Sequence, residues 1–87
     1  MKCVVATYLA RLDARLSSVR DLAERIRLID DERRRVDRLE RALSGWAARS
    51  CGLGTPPTRL SAFDLAVLHG ELSLRLETTR DALRSRA

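Results

Sequence analysis

Few side chains in this sequence have the types and spacings that chemistry requires. The carboxylates Asp30, Asp31 and Glu32 are consecutive. On a helix they point to different sides, and the arginines around them keep them solvated rather than paired for acid–base work. One histidine, His69, and two cysteines, Cys3 and Cys51, share no CxxC and cannot complete a zinc site. Gly52-Leu53-Gly54 lacks the following Lys and the flanking strand of a phosphate-binding loop. No nucleophile and base in a dry pocket can be assembled from these groups. The expectation is a protein that is not an enzyme, with no catalytic residue, no cofactor and no metal.

Arginine is the other chemical resource. Sixteen Arg and one Lys outweigh twelve acids, a formal net charge of +5. That balance suits an acidic partner such as nucleic acid. Arg33, Arg34, Arg35, Arg38 and Arg41 form a dense basic arc and are the candidate nucleic-acid contacts. However, acids precede arginines by four residues at Asp21/Arg25, Asp30/Arg34, Asp31/Arg35, Asp37/Arg41 and Glu71/Arg75. Such pairs add ~0.2–0.5 kcal/mol each to a solvated helix face. No aromatic residue stands near the arc to stack on a base. Nucleic acid is therefore the alternative, and a protein partner is the main expectation.

These side chains need helices to hold them. Leu, Ala, Arg, Asp and Glu dominate the composition, which predicts an all-α fold. Residues 1–87 read as a single helical-hairpin domain, with a helix over about 4–49, a loop over 50–60 and a helix over about 61–85. Ile29, Val36, Leu39, Leu43 and Trp46 make one narrow apolar stripe; Leu65, Leu68, Leu72, Leu76 and Leu83 make another. Read in opposite directions the stripes match, Trp46 with Leu65, Leu43 with Leu68, Leu39 with Leu72, Val36 with Leu76 and Ile29 with Leu83. That is the register of an antiparallel, coiled-coil-like hairpin. The stretch CGLGTPPTR, residues 51–59, holds both prolines and is the loop, with Leu53 expected to fold over the hairpin's end. Ser61 and Asp64 write a capping box, and Leu60 and Leu65 its hydrophobic staple.

The first helix carries a second seam, Val5, Leu9, Leu12, Leu16, Val19 and Ile26, in regular heptads. It runs three residues out of phase with the stripe that starts at Ile29, a stammer. No Gly or Pro interrupts residues 1–44, so a continuous helix is expected; a break near Asp30, capped by Asp30 and Asp31, is the alternative. The shorter helix cannot cover this whole length, and the Val5–Ile26 seam then projects beyond the hairpin. Phe63, Val67 and Leu74 add another stripe on the outer side of the second helix, with Gly70 among them as a point of close approach or a slight kink.

Two uncovered apolar surfaces call for another chain. Val5, Leu9, Leu12, Leu16, Val19, Ile26, Phe63, Val67 and Leu74 are the candidate partner-binding residues. The expected partner is a second copy, an antiparallel homodimer forming a dimeric helical bundle, or a helix of another protein, as in a small adaptor or chaperone. The opening MKCVVATYLA is too short for a secretory h-region. No stretch approaches the ~20 apolar residues of a membrane span. The expected setting is cytoplasmic, with no membrane partner and reduced thiols.

Overall fold

The computed structural model describes residues 3–86. Among them every regular element is a helix: α1, Val4–Ser17; α2, Leu22–Ser50; and α3, Ala62–Ser85. The fold is all-α.

α3 owes its start to a reciprocal cap. The Ser61 hydroxyl accepts from the Asp64 amide at 3.0 Å, and the Asp64 carboxylate accepts from the Ser61 amide at 3.2 Å. Beyond the cap, leucines recur at spacings of three and four, so one face of the helix is apolar along its length. Leu65, Leu68, Leu72 and Leu76 are 0–1 % exposed, and they share a core with Ile29 and Val36 of α2. Each such side chain contributes ~1.5–3 kcal/mol relative to exposure. Among the described residues no polar or charged residue is buried as a whole.

The helix expected over about 4–49 is two helices. α1 ends at Ser17 and α2 opens after Asp21, whose carboxylate accepts from the Ala23 amide at 3.3 Å. Neither Gly nor Pro is needed, because local side chains take over the backbone's hydrogen bonds. The Ser17 hydroxyl donates to the Asp13 carbonyl at 2.8 Å and the Ser18 hydroxyl to the Arg15 carbonyl at 2.7 Å. Arg25 donates through Nε to the Val19 carbonyl. Asp21 followed by Glu24 is itself a helix-start signature. The run around Asp30, the alternative break point, lies inside α2.

The break lets α1 fold back. Val5 and Leu12 are 7 % and 2 % exposed, in the same core as Ile29, Val36 and Leu76. The projecting seam is therefore absent. At the two ends of the expected α2–α3 register, Leu83 is 41 % exposed and Trp46 lies outside the core cluster. Ile29 shares a groove with Arg75, Thr78 and Thr79 of α3 and Leu16 of α1. A stripe built on threes and fours nearly repeats each turn, so it fixes the buried face but not the turn. Leu53 is 75 % exposed and covers nothing. α2 closes on Cys51, whose φ of 53° puts a non-glycine residue in the left-handed region one position before Gly52.

Candidate functional site

Folding back redistributes the candidate partner-binding residues. Val5 and Leu12 belong to the intrachain core, and Leu9, Leu16 and Ile26 pack half-buried against it. Val19 falls in the connection between α1 and α2, half-buried. Two of this set, Val5 and Leu12, are thus taken up inside the chain, and the other four stay half-buried. Val67 is half-buried against the core as well. Phe63 and Leu74 are different, at 76 % and 62 % exposed. They lie eleven residues apart on α3, three full turns, and therefore on one face. Gly70 sits between them, and a Cβ built there meets no atom within 4 Å. Within the chain it marks no close approach of another helix.

The arginine arc is partly spent. Arg33 and Arg34 both pair with Asp30, at 2.9 and 3.1 Å. Arg41 donates to the Asp37 carbonyl at 3.5 Å. Arg35 and Arg38 are exposed and, among the described residues, make no ion pair. The lone His69 lies 3.4 Å from Asp37 across the α2–α3 contact. Cys3 and Cys51 are free and exposed. Among the described residues, no three His, Cys, Asp or Glu side chains gather as metal ligands would, and no helix is long and apolar enough to cross a membrane.

The polar groups that matter most for α1 carry no local signal in the sequence. Arg75 on α3 grips Asp13 of α1 with both arms of its guanidinium, Nε to Oδ1 at 2.8 Å and Nη2 to Oδ2 at 3.0 Å. Its remaining nitrogen, Nη1, donates to Glu71 Oε2 at 2.9 Å. Hydrogen bonding from Arg75 holds the Asp13 carboxyl below its ordinary range. On the other side, Glu32 of α2 accepts from the Tyr8 hydroxyl and from Arg15 Nη1 at 3.4 Å. Burial raises the Tyr8 hydroxyl's pKa above the ordinary phenol value, and its bond to Glu32 adds to the rise. Asp13 and Arg75 are sixty-two residues apart, and neither sits on an apolar stripe, so periodicity cannot find them.

A further feature lies where α2 and α3 meet near their connecting loop. Glu40, Leu43, Ser44, Ala47, Ala62 and Leu65 line a groove there. Glu40 as a whole is half-buried, but its Oε1 is out of solvent and has no donor among the described residues. Such an orphaned acceptor costs ~1–3 kcal/mol or more unless something supplies the missing bond. No family model, curated protein or solved structure matches this chain.

Proposed function

We propose that the chain is a non-enzymatic protein–protein interaction module. In this reading α2 and α3 form an antiparallel, coiled-coil-like hairpin, α1 folds over one end of it, and the outer face of α3 docks a partner helix. The hairpin is supported by the order of neighbours. Leu43 and Ala47, late in α2, share a groove with Ala62 and Leu65, early in α3. Ile29, early in α2, shares one with Thr78 and Thr79, late in α3.

The observation that carries the docking face is the exposure of Phe63 and Leu74 on one side of a helix whose other side is fully buried. The total surface agrees with it. The chain exposes 6340 Å² for 9.8 kDa, where a compact monomer of that mass exposes roughly 5,200 Å². The surplus exceeds the ~800 Å² that one partner gives to an interface of standard size.

A second copy is the first choice of partner. Two α3 helices crossing antiparallel set each Phe63 against the other's Leu74, and Gly70 between them lets the backbones come close. The heteromeric form of the same proposal is an adaptor or small chaperone that covers a client's amphipathic helix. The proposed setting is the cytoplasm, where Cys3 and Cys51 stay as thiols.

Light scattering on the wild type at tens of micromolar is expected to give a dimer. Phe63→Glu with Leu74→Glu is expected to give a monomer of unchanged helix content, since neither side chain supports the core. A wild type that is already a monomer rules out the homodimer. One observation favours the second reading, a nucleic-acid-binding helix face: Arg35 and Arg38 are exposed and, among the described residues, make no ion pair. In that reading affinity for duplex falls with salt at a log–log slope of ~−0.9 per phosphate contacted, and a flat response removes it.

A further inference from the structure

The cleft between α1 and α2 has a chemistry that apolar packing does not explain. It encloses about 310 Å³ and is lined by Tyr8, Arg11, Leu12, Arg15, Glu32 and Arg35. Arg11 and Arg15 are four residues apart on α1, so their side chains leave the helix on one side. Arg35 follows Glu32 by three and faces the same cleft from α2. Three exposed arginines and one carboxylate thus line the same cleft.

That one carboxylate is already engaged. Glu32 accepts from Tyr8 and Arg15, and its side chain is only 13 % exposed. Arg11 and Arg35 make no ion pair among the described residues. Both Arg35 and Arg15 lie close enough to Tyr8 for their charge to act on its hydroxyl. Like charges carried by two helices that must approach each other oppose the docking of α1. An anion seated between them reverses that sign.

We propose that this cleft binds a phosphate dianion, as the free ion or as a phosphomonoester, held by Arg11, Arg15 and Arg35. The surplus of two positive charges matches a dianion. Guanidinium groups arriving from two helices offer paired N–H donors to different edges of a tetrahedral oxyanion. Leu12, 2 % exposed, gives the cleft an apolar wall, while the three arginines themselves are exposed, so the binding is screened by salt. Glu32 repels the ligand and so limits affinity. Because the ligand touches both helices, it stabilises the docked position of α1 by mass action.

The test is an amide-resolved NMR titration of the whole chain with sodium phosphate, against sodium chloride at matched ionic strength. Saturable shifts are expected at Tyr8, Arg11 and Arg35, together with slower hydrogen exchange along α1. Arg35→Gln and Arg11→Gln are each expected to weaken binding at least about tenfold, the usual loss for one bond to a charged group. Arg49→Gln, on the exposed last turn of α2 and outside the cleft, is expected to leave binding unchanged. Glu32→Gln keeps an acceptor for Tyr8 while removing the repulsion, and tightens binding. O-phosphoserine competing for the same shifts assigns the site to monoesters; phosphate binding without that competition assigns it to the free ion. Shifts that never saturate at millimolar phosphate overturn the proposal, as does equal weakening by Arg49→Gln and Arg35→Gln.

Discussion

The α2–α3 contact and the attachment of α1 are built from different materials. Between α2 and α3 run four leucines of 0–1 % exposure, with Ile29 and Val36 opposite them. That contact draws on burial, which responds weakly to salt and to pH. α1 touches the rest of the chain over a much shorter stretch. It adds two buried side chains, Val5 and Leu12, and then depends on polar grips: Arg75 on Asp13, and Glu32 on Tyr8 and Arg15. Exposed ion pairs of this kind are worth ~0.2–1 kcal/mol and are screened by salt. One contact rests on burial, the other in part on polar groups that respond to salt and pH, so α1 is expected to open before α2 and α3 do.

The largest expected effect sets Leu72→Ala against Leu12→Ala. Truncating Leu72 removes a side chain from the centre of the α2–α3 core and is expected to cost ~2–5 kcal/mol of global stability. Urea unfolding followed by helix content measures it. Truncating Leu12 is expected to speed hydrogen exchange in α1 while α2 and α3 keep their protection. Uniform loss of protection in both variants would mean that the two regions unfold as one.

An intermediate effect strengthens one side of the comparison alone. Gly70→Ala adds a methyl group where nothing lies within 4 Å, and is expected to raise the thermal stability of α2 and α3 by ~0.8–1 kcal/mol. Exchange in α1 should not change. If α3 faces a second copy at Gly70, the same variant weakens dimerisation, so light scattering reads the two consequences separately.

The smallest effect is the conditional one. Arg75 holds the Asp13 carboxyl below its usual range. Its contribution is therefore whole above the unfolded value of ~3.9, and is lost as the pH falls through the lower folded value. Asp13→Asn is expected to cost α1 ~0.2–1 kcal/mol, because Asp13 is half exposed. It should also flatten the acid end of the protection profile of α1, after correction for intrinsic exchange rates. An unchanged profile would remove the Asp13–Arg75 pair from the attachment of α1 and leave it to Val5, Leu12 and the contacts of Glu32.

Local chemistry was legible in the sequence, and long-range choice was not. The cap at Ser61 and Asp64 and the buried face of α3 follow from neighbouring residues, so pattern alone finds them. The Asp21-Leu22-Ala23-Glu24 start is equally local, yet the heptad from Leu16 through Val19 to Ile26 masks it. A heptad records which residues are apolar at a given spacing and is blind to a turn inserted between them. The phase change near Ile26 and Ile29 is a real signal, although the chain answers it with a turn eight residues earlier. Phe63 and Leu74 were legible as surplus because α3 has only one face to bury. Val5 and Leu12 were not, since the same stripe serves an intrachain core as well as an interface. Asp13, Arg75, Tyr8 and Glu32 depend on which helices meet, and nothing within a few residues of each announces it.

The bond between Asp13 and Arg75 joins residues sixty-two apart, and that separation sets an order of events during synthesis. α1 is synthesised before α3, at ~5–20 residues per second. Its partners Leu72, Arg75 and Leu76 are among the later residues to emerge. For several seconds Val5, Leu9, Leu12 and Leu16 have nothing of their own chain's α3 to bury against. Until α3 is made, the apolar stripe of α1 stays open to other apolar surfaces.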